Sequence, residues 1–124
     1  MTVAFSPSLL TAQLAGRLEA TRQLLSGGAV VCHAAPRPAD GDPNPYPAIT
    51  RIPFAVGVGT VADGALTLTT PIEGQCLQAG VIAWCRIETA DGAWLCDFDA
   101  TDLDLDVTAV MPGAFVRLMS GVFR

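Results

Sequence analysis

Leu10, Leu14, Leu18, Thr21 and Leu25 recur at three- and four-residue spacing, the period with which one face of an α-helix meets its neighbour. Ser6-Pro7 opens this pattern. A serine side chain can cap the first free N–H groups, and proline at the first helical position loses no hydrogen bond. Arg17 and Arg22 fall off the stripe, and Gly27-Gly28 ends it. One helix with one leucine stripe is not a domain, so it must pack on the rest of the chain or on a neighbouring subunit.

Beyond the helix the period changes to that of strands. Ala29–Ala34 reads as a short strand, and from Ile49 onward apolar and polar positions alternate between turn signals. Ile52–Val58 is one run, carrying Pro53 and therefore predicted at an edge or bulge. Val61 and Leu66–Thr69 flank a hairpin turn at Ala62-Asp63-Gly64, and Val81–Thr89 and Trp94–Asp99 flank Asp91-Gly92. Leu103–Val107 and Phe115–Val122 complete the set. Short strands at this spacing predict a mostly β fold, an antiparallel β-sandwich or jelly roll with one short N-terminal helix. We read one domain overall: an arm and helix at residues 1–28, then a β-sandwich at 29–124 with a proline-rich loop at 36–47. Pro36, Pro38, Pro43, Pro45 and Pro47 forbid helix and central strand there and favour an extended excursion, of the kind that serves as a functional arm or clamp.

A two-residue turn at Asp91-Gly92 would pair Thr89 with Trp94, Glu88 with Leu95, Ile87 with Cys96, Arg86 with Asp97 and Cys85 with Phe98. One face then carries Cys85, Ile87, Thr89, Trp94, Cys96 and Phe98 and is expected in the core. The other carries Trp84, Arg86, Glu88, Leu95, Asp97 and Asp99. Trp84 and Leu95, large and apolar among charges, are expected under the N-terminal helix or exposed to a partner, with the intramolecular cover favoured. Cys85 and Cys96 share a face only diagonally, so two buried thiols are expected rather than a disulfide.

Composition sharpens this picture. Hydrophobic residues make up 51% of the 124 positions against 15% charged, and mean hydropathy is +0.44. No run approaches the roughly 20 apolar residues of a bilayer helix, and Met1–Leu10 lacks the basic and apolar regions of a secretory signal. The surplus apolar surface points to cover by partners, with a compositional bias, visible in the absence of lysine, contributing. A net charge of −5 without a basic stripe argues against nucleic acid as a partner. The chain reads as made in the cytoplasm, with no membrane partner.

Candidate chemistry is sparse. Cys32, Cys76, Cys85 and Cys96 form no CxxC pair, and His33 is the sole histidine, so zinc is not expected. Asp102, Asp104 and Asp106 alternate with Leu103, Leu105 and Val107. A calcium loop would need glycine and glutamate where Val107 and Gly113 stand, so the row reads as a solvated strand face, with an adventitious ion near Asp97, Asp99 and Asp102 left open. His33 reads as structural, no serine lies in a G-x-S-x-G elbow, and Gly57-Val58-Gly59 lacks the third glycine and helix of a dinucleotide site. We expect no catalytic residues and no cofactors. The enzyme alternative requires a pocket grouping His33 with Asp or Cys side chains.

An ordered series of segments covers most of residues 29–122: Arg37-Pro38, Gly64-Ala65-Leu66-Thr67-Leu68, Gly80, Trp84, Arg86-Ile87, Asp91-Gly92, Leu103-Asp104-Leu105, and Gly113, Val116, Leu118 and Ser120. In this order and spacing the chain resembles small virion structural proteins of tailed bacteriophages. It departs from them at Ala35-Pro36, where those proteins often carry glycine before the Arg-Pro, and in the length of its proline-rich loop. The resemblance implies a capsid decoration (cement) protein on the capsid exterior, bound to the major capsid protein and to itself as a dimer or trimer. The alternatives are a tail or head–tail joining protein and a carbohydrate-binding sandwich module. In the cement role Met1–Ser8 and Pro36–Pro47 would be the reaching elements, with Tyr46, Ile49 and Trp84 as contact anchors.

Overall fold

The computed structural model describes residues 6–124, so the first five positions of the expected Met1–Ser8 arm lie outside the described residues. Ser6 Oγ accepts from Leu9 N at 3.1 Å and caps helix α1 (Pro7–Leu25). At the other end Gly28 N donates to the Leu25 carbonyl at 2.9 Å. Leu18 and Leu25 are buried, but Leu10 is 50% exposed: the stripe overruns the strands that it packs on.

Twelve strands follow: β1 (Ala29–His33), β2 (Thr50–Pro53), β3 (Gly59–Ala62), β4 (Ala65–Leu68), β5 (Ile72–Gln75), β6 (Gly80–Val81), β7 (Trp84–Glu88), β8 (Trp94–Asp99), β9 (Asp104–Leu105), β10 (Ala109–Val110), β11 (Phe115–Ser120) and β12 (Val122–Phe123). They form antiparallel sheets in the orders β2-β1-β7-β8, β5-β11-β9, β12-β4-β3 and β10-β6. The fold is thus mostly β with one helix. β1 is buried along its whole length, because Val30 lies between Ile52 and Ile87, and Cys32 between Thr50 and Cys85. Leu18 and Leu25 of α1 join Val30, Ile52, Leu66, Ile72, Ile87 and Leu118 in one core, with α1 resting on β3 and β4.

Three runs depart from their sequence pattern for identifiable reasons. Ile52–Val58 stops being a strand after Pro53; Phe54 N turns back to Gly28 O, and Val58 N bonds Ala55 O within a turn. Val81–Thr89 divides in two, since Ile82 N donates to Thr108 O beside β10 while Ala83 N donates to His33 O beside β1. Leu103–Val107 keeps only Asp104-Leu105 as strand. β5 and β10 are not predicted from the sequence: β10 has only two residues, and β5, although its burial alternates, carries a single large apolar side chain, Ile72.

Both hairpins form. Ala62 pairs with Ala65, and Asp63 and Gly64 take positive φ (53° and 74°), the geometry of a primed two-residue turn. At the second hairpin the turn is one residue longer than predicted. Thr89 N bonds Ala93 O around Ala90-Asp91-Gly92, with Gly92 at φ 81°. The register from Cys85–Phe98 to Ile87–Cys96 is as predicted, but Glu88 pairs with Trp94 across a bulge. The bulge turns Trp94 away from the core, where the sequence placed it, onto the face of Arg86 and Asp97.

Candidate functional site

The outer face of β7 and β8 is the most elaborated surface of the protein, and its cover is the loop between β1 and β2. Trp84 is 0% exposed. Its ring stacks on His33 at 4.4 Å between centroids, and its Nε1 donates to the Ala34 carbonyl at 3.0 Å. The Arg86 guanidinium lies over the Trp84 ring, 5.1 Å from its centroid. Trp84 is therefore enclosed by His33, Ala34 and Arg86, of which the proline-rich loop holds His33 and Arg86, and not by the helix favoured from the sequence. The helix is engaged on β3 and β4 instead.

Asp97 is the centre of this arrangement. Arg86 donates to it twice, from Nε at 2.7 Å and Nη2 at 3.0 Å. Trp94 Nε1 donates at 3.1 Å, and so does the backbone N–H of Gly41 in the loop. Arg86 Nη2 also reaches the Asp42 carbonyl at 2.7 Å. Arg37 forms a second tie, to Asp99 at 2.7 Å and to Asp40 at 2.8 Å. Asn44 supplies a third, its Nδ2 donating to His33 Nδ1 at 2.9 Å. Gly41 is required by a close approach: at φ +79° it lies against the Trp94 ring, which a Cβ there would meet at 3.3 Å. The expected extended excursion is thus a strap fastened at three places.

The electrostatics follow from this wiring. Burial pushes the Asp97 carboxyl upward, but the Arg86, Gly41 and Trp94 hydrogen bonds outweigh it and hold the group below its ordinary value. Burial, with Arg86 nearby, depresses His33, and the Asp97 charge opposes this only in part. With Asn44 on Nδ1 and Trp84 on its face, His33 serves as a structural member of the stack. Among the described residues, every buried side-chain nitrogen and oxygen has a hydrogen-bond partner.

Of the three predicted contact anchors, only Tyr46 is exposed, at 62%, between Pro45 and Pro47 near the β2 end of the strap. Ile49 is 2% exposed and Trp84 is fully buried, so both are corrected to core residues. Ile49 donates and accepts backbone bonds with Cys32 and Leu77, which draws its side chain inward. The exposed Trp84–Tyr46 platform that a carbohydrate module would need is absent. Sequence reasoning missed Gly41, Asp42 and Asn44; the Arg86–Asp97 pair was legible, but which loop it fastened was not.

Other candidate chemistry resolves into structure. Cys32 and Cys85 stand opposite each other with Sγ atoms 3.5 Å apart, and all four cysteines are free thiols. The Cys85 contact and burial raise the Cys32 thiol, and burial pushes Cys96 up to about 11. Asp104 accepts from Ser120 Oγ at 2.8 Å, and Asp106 from Arg117 N at 2.8 Å. No cluster of three or more His, Cys, Asp or Glu among the described residues is arranged to hold a metal ion. A cavity of about 270 Å³ opens between Val30, Ile87, Phe98 and Leu118, with Asp102 and Asp104 as its carboxylates. Gly57-Val58-Gly59 forms a turn into β3 rather than the start of a helix. No helix among the described residues is long and apolar enough to cross a membrane.

No protein-family model, curated protein or solved structure matches this chain.

Proposed function

We propose that the chain is a structural component of a tailed-bacteriophage virion, specifically a capsid decoration protein that binds the major capsid lattice. The reading rests on the ordered series of segments from Arg37-Pro38 to Ser120. One observation gives it weight: the two arginines of that series, Arg37 and Arg86, both end on carboxylates of β8, at Asp99 and Asp97. Segments far apart in sequence therefore serve one purpose, fastening a proline-rich strap across a strand pair. In this reading the strands form a jelly-roll sandwich, the strap is a rigidly held surface, and its exposed Tyr46 meets the capsid. A pre-set loop loses little conformational freedom on docking, and each bound copy adds its free energy to the closed lattice. The protein then has no catalytic step, and its work is done by copy number and adhesion.

Quantitative mass spectrometry of purified particles carrying this chain tests the proposal. A copy number on the order of hundreds per particle, matching the symmetry of the shell, is expected. A handful of copies would move the protein to the tail or neck, and absence from particles would overturn the virion reading.

A further inference from the structure

One surface is set apart by its lack of charge. No charged residue occurs between Glu73 and Arg86, or between Asp106 and Arg117, in a chain of net charge −5. The fold brings these two stretches together. β6 pairs with β10, Val81 opposite Ala109, and Gly113 N and Cys76 N bond Cys76 O and Ala114 O. Val81, Val107, Met111 and Phe115 line the resulting broad depression and are 60%, 42%, 70% and 47% exposed, over a floor that includes buried Val110. Its border on β11 is polar: Arg117, two residues along the same face from Phe115, pairs with Glu73 at 3.1 Å and with Asp106 at 3.5 Å. An apolar centre with an ion-paired rim is the anatomy of a protein–protein interface. In addition, β6 and β10 form a two-stranded sheet, without the lysines or inward charges that guard a strand edge.

We infer that this face is where a second copy of the chain docks. The occupant follows from charge. Two copies carrying −5 each repel wherever their carboxylates approach; the centre of this face has none, and the two at its rim, Glu73 and Asp106, are both engaged by Arg117. Nucleic acid or an anionic lipid surface would need cations there, and Arg117 at the rim is already engaged by Glu73 and Asp106. Elsewhere exposed apolar side chains stand among charges: Leu9, Leu10 and Leu24 on α1 share their helix with Arg17, Glu19 and Arg22, and Trp94 lies beside Asp97. A two-fold axis at this face would set its uncharged centre against its own equivalent.

The test is the oligomeric mass by sedimentation equilibrium at about 100 µM chain, where a micromolar interface is almost fully formed. The wild-type protein is expected at a multiple of 12.9 kDa. Met111→Arg and Val81→Arg, both at exposed positions, are expected at the single-chain mass with unchanged circular dichroism. Val56→Arg, at a side chain fully exposed in another loop, is expected to behave as wild type. Amide exchange gives a second reading on the unmodified protein: protection in residues 107–116 should fall on dilution. A wild-type mass of 12.9 kDa at that concentration, dissociation by Val56→Arg but not Met111→Arg, or exchange independent of dilution would each overturn the inference. It does not rest on the virion reading: a chain that self-associates here yet is missing from particles keeps this interface and loses the proposed function.

Discussion

Replacing Asp97 with alanine tests the strap directly. The Asp97 side chain is 0% exposed and that of Arg86 10%, so the substitution leaves a nearly buried guanidinium without its carboxylate. It also removes the acceptor of Gly41 N and of Trp94 Nε1. Breaking one side of a buried ion pair typically costs about 3–5 kcal/mol. Arg86 keeps the Asp42 carbonyl and the Trp84 ring, which places the expected loss at the low end, about 3 kcal/mol. An unfolding entropy of about 2.1 cal/mol/K per residue over 124 residues gives about 0.26 kcal/mol/K, so the melting temperature should fall by about 12 °C. Urea unfolding followed by tryptophan fluorescence measures the free energy, and amide exchange at Gly41 measures the strap locally. The double substitution Arg86→Met/Asp97→Leu, which removes both charges, should recover most of the loss. An Asp97→Ala protein within about 0.5 kcal/mol of wild type, with Gly41 exchange unchanged, would show that the strap is not held through Asp97.

Two further outcomes are expected. At Gly74 a Cβ would overlap the Arg51 carbonyl and approach Thr50 Oγ1; Gly74→Ala should therefore cost about 2–3 kcal/mol in chemical denaturation through overpacking, while Val56→Ala at a fully exposed side chain should be neutral. His33, below its ordinary 6.5 in the fold, and Asp97, below 3.8, both take up protons later than they do in the unfolded chain. Stability should thus be complete between about pH 6.5 and 9, above which the raised Cys32 and Cys96 thiols favour the unfolded chain; it should fall as the pH drops below 6.5 toward the depressed His33 value, and again below about 3.8. His33→Phe should abolish the first decline, which a pH series of thermal melts will show.

How much of this was legible in the sequence depended on the range of the interaction. The hairpin register Cys85–Phe98 to Ile87–Cys96 follows from a turn and an alternation within a few residues. The Arg86–Asp97 pair followed with it, as did the Ser6 cap. The bulge beside Trp94 did not, because two- and three-residue turns around Asp91-Gly92 differ by a single hydrogen bond, Thr89 N to Ala93 O. That one residue moved Trp94 from the expected core face to the strapped face. The burial of Trp84 was also hidden. Its neighbours His33 and Arg86 are held by a loop with no periodicity, anchored by Gly41 N, the Asp42 carbonyl and Asn44, groups that any polar loop contains. The same reason explains Ile49, whose inward position is set by backbone bonds to Cys32 and Leu77, distant in sequence.

The strap has a practical corollary. Its fastenings fall on Arg37, Asp40, Gly41, Asp42 and Asn44, whereas Tyr46 stands exposed between Pro45 and Pro47 before the chain re-enters the interior at Ile49. Extra length spliced in at that point would leave both footings in place, and closing a longer loop costs only about 0.6 kcal/mol per doubling. An insertion there therefore separates the two duties of the strap: the fold keeps its fastenings, while the capsid contact proposed for Tyr46 is lost.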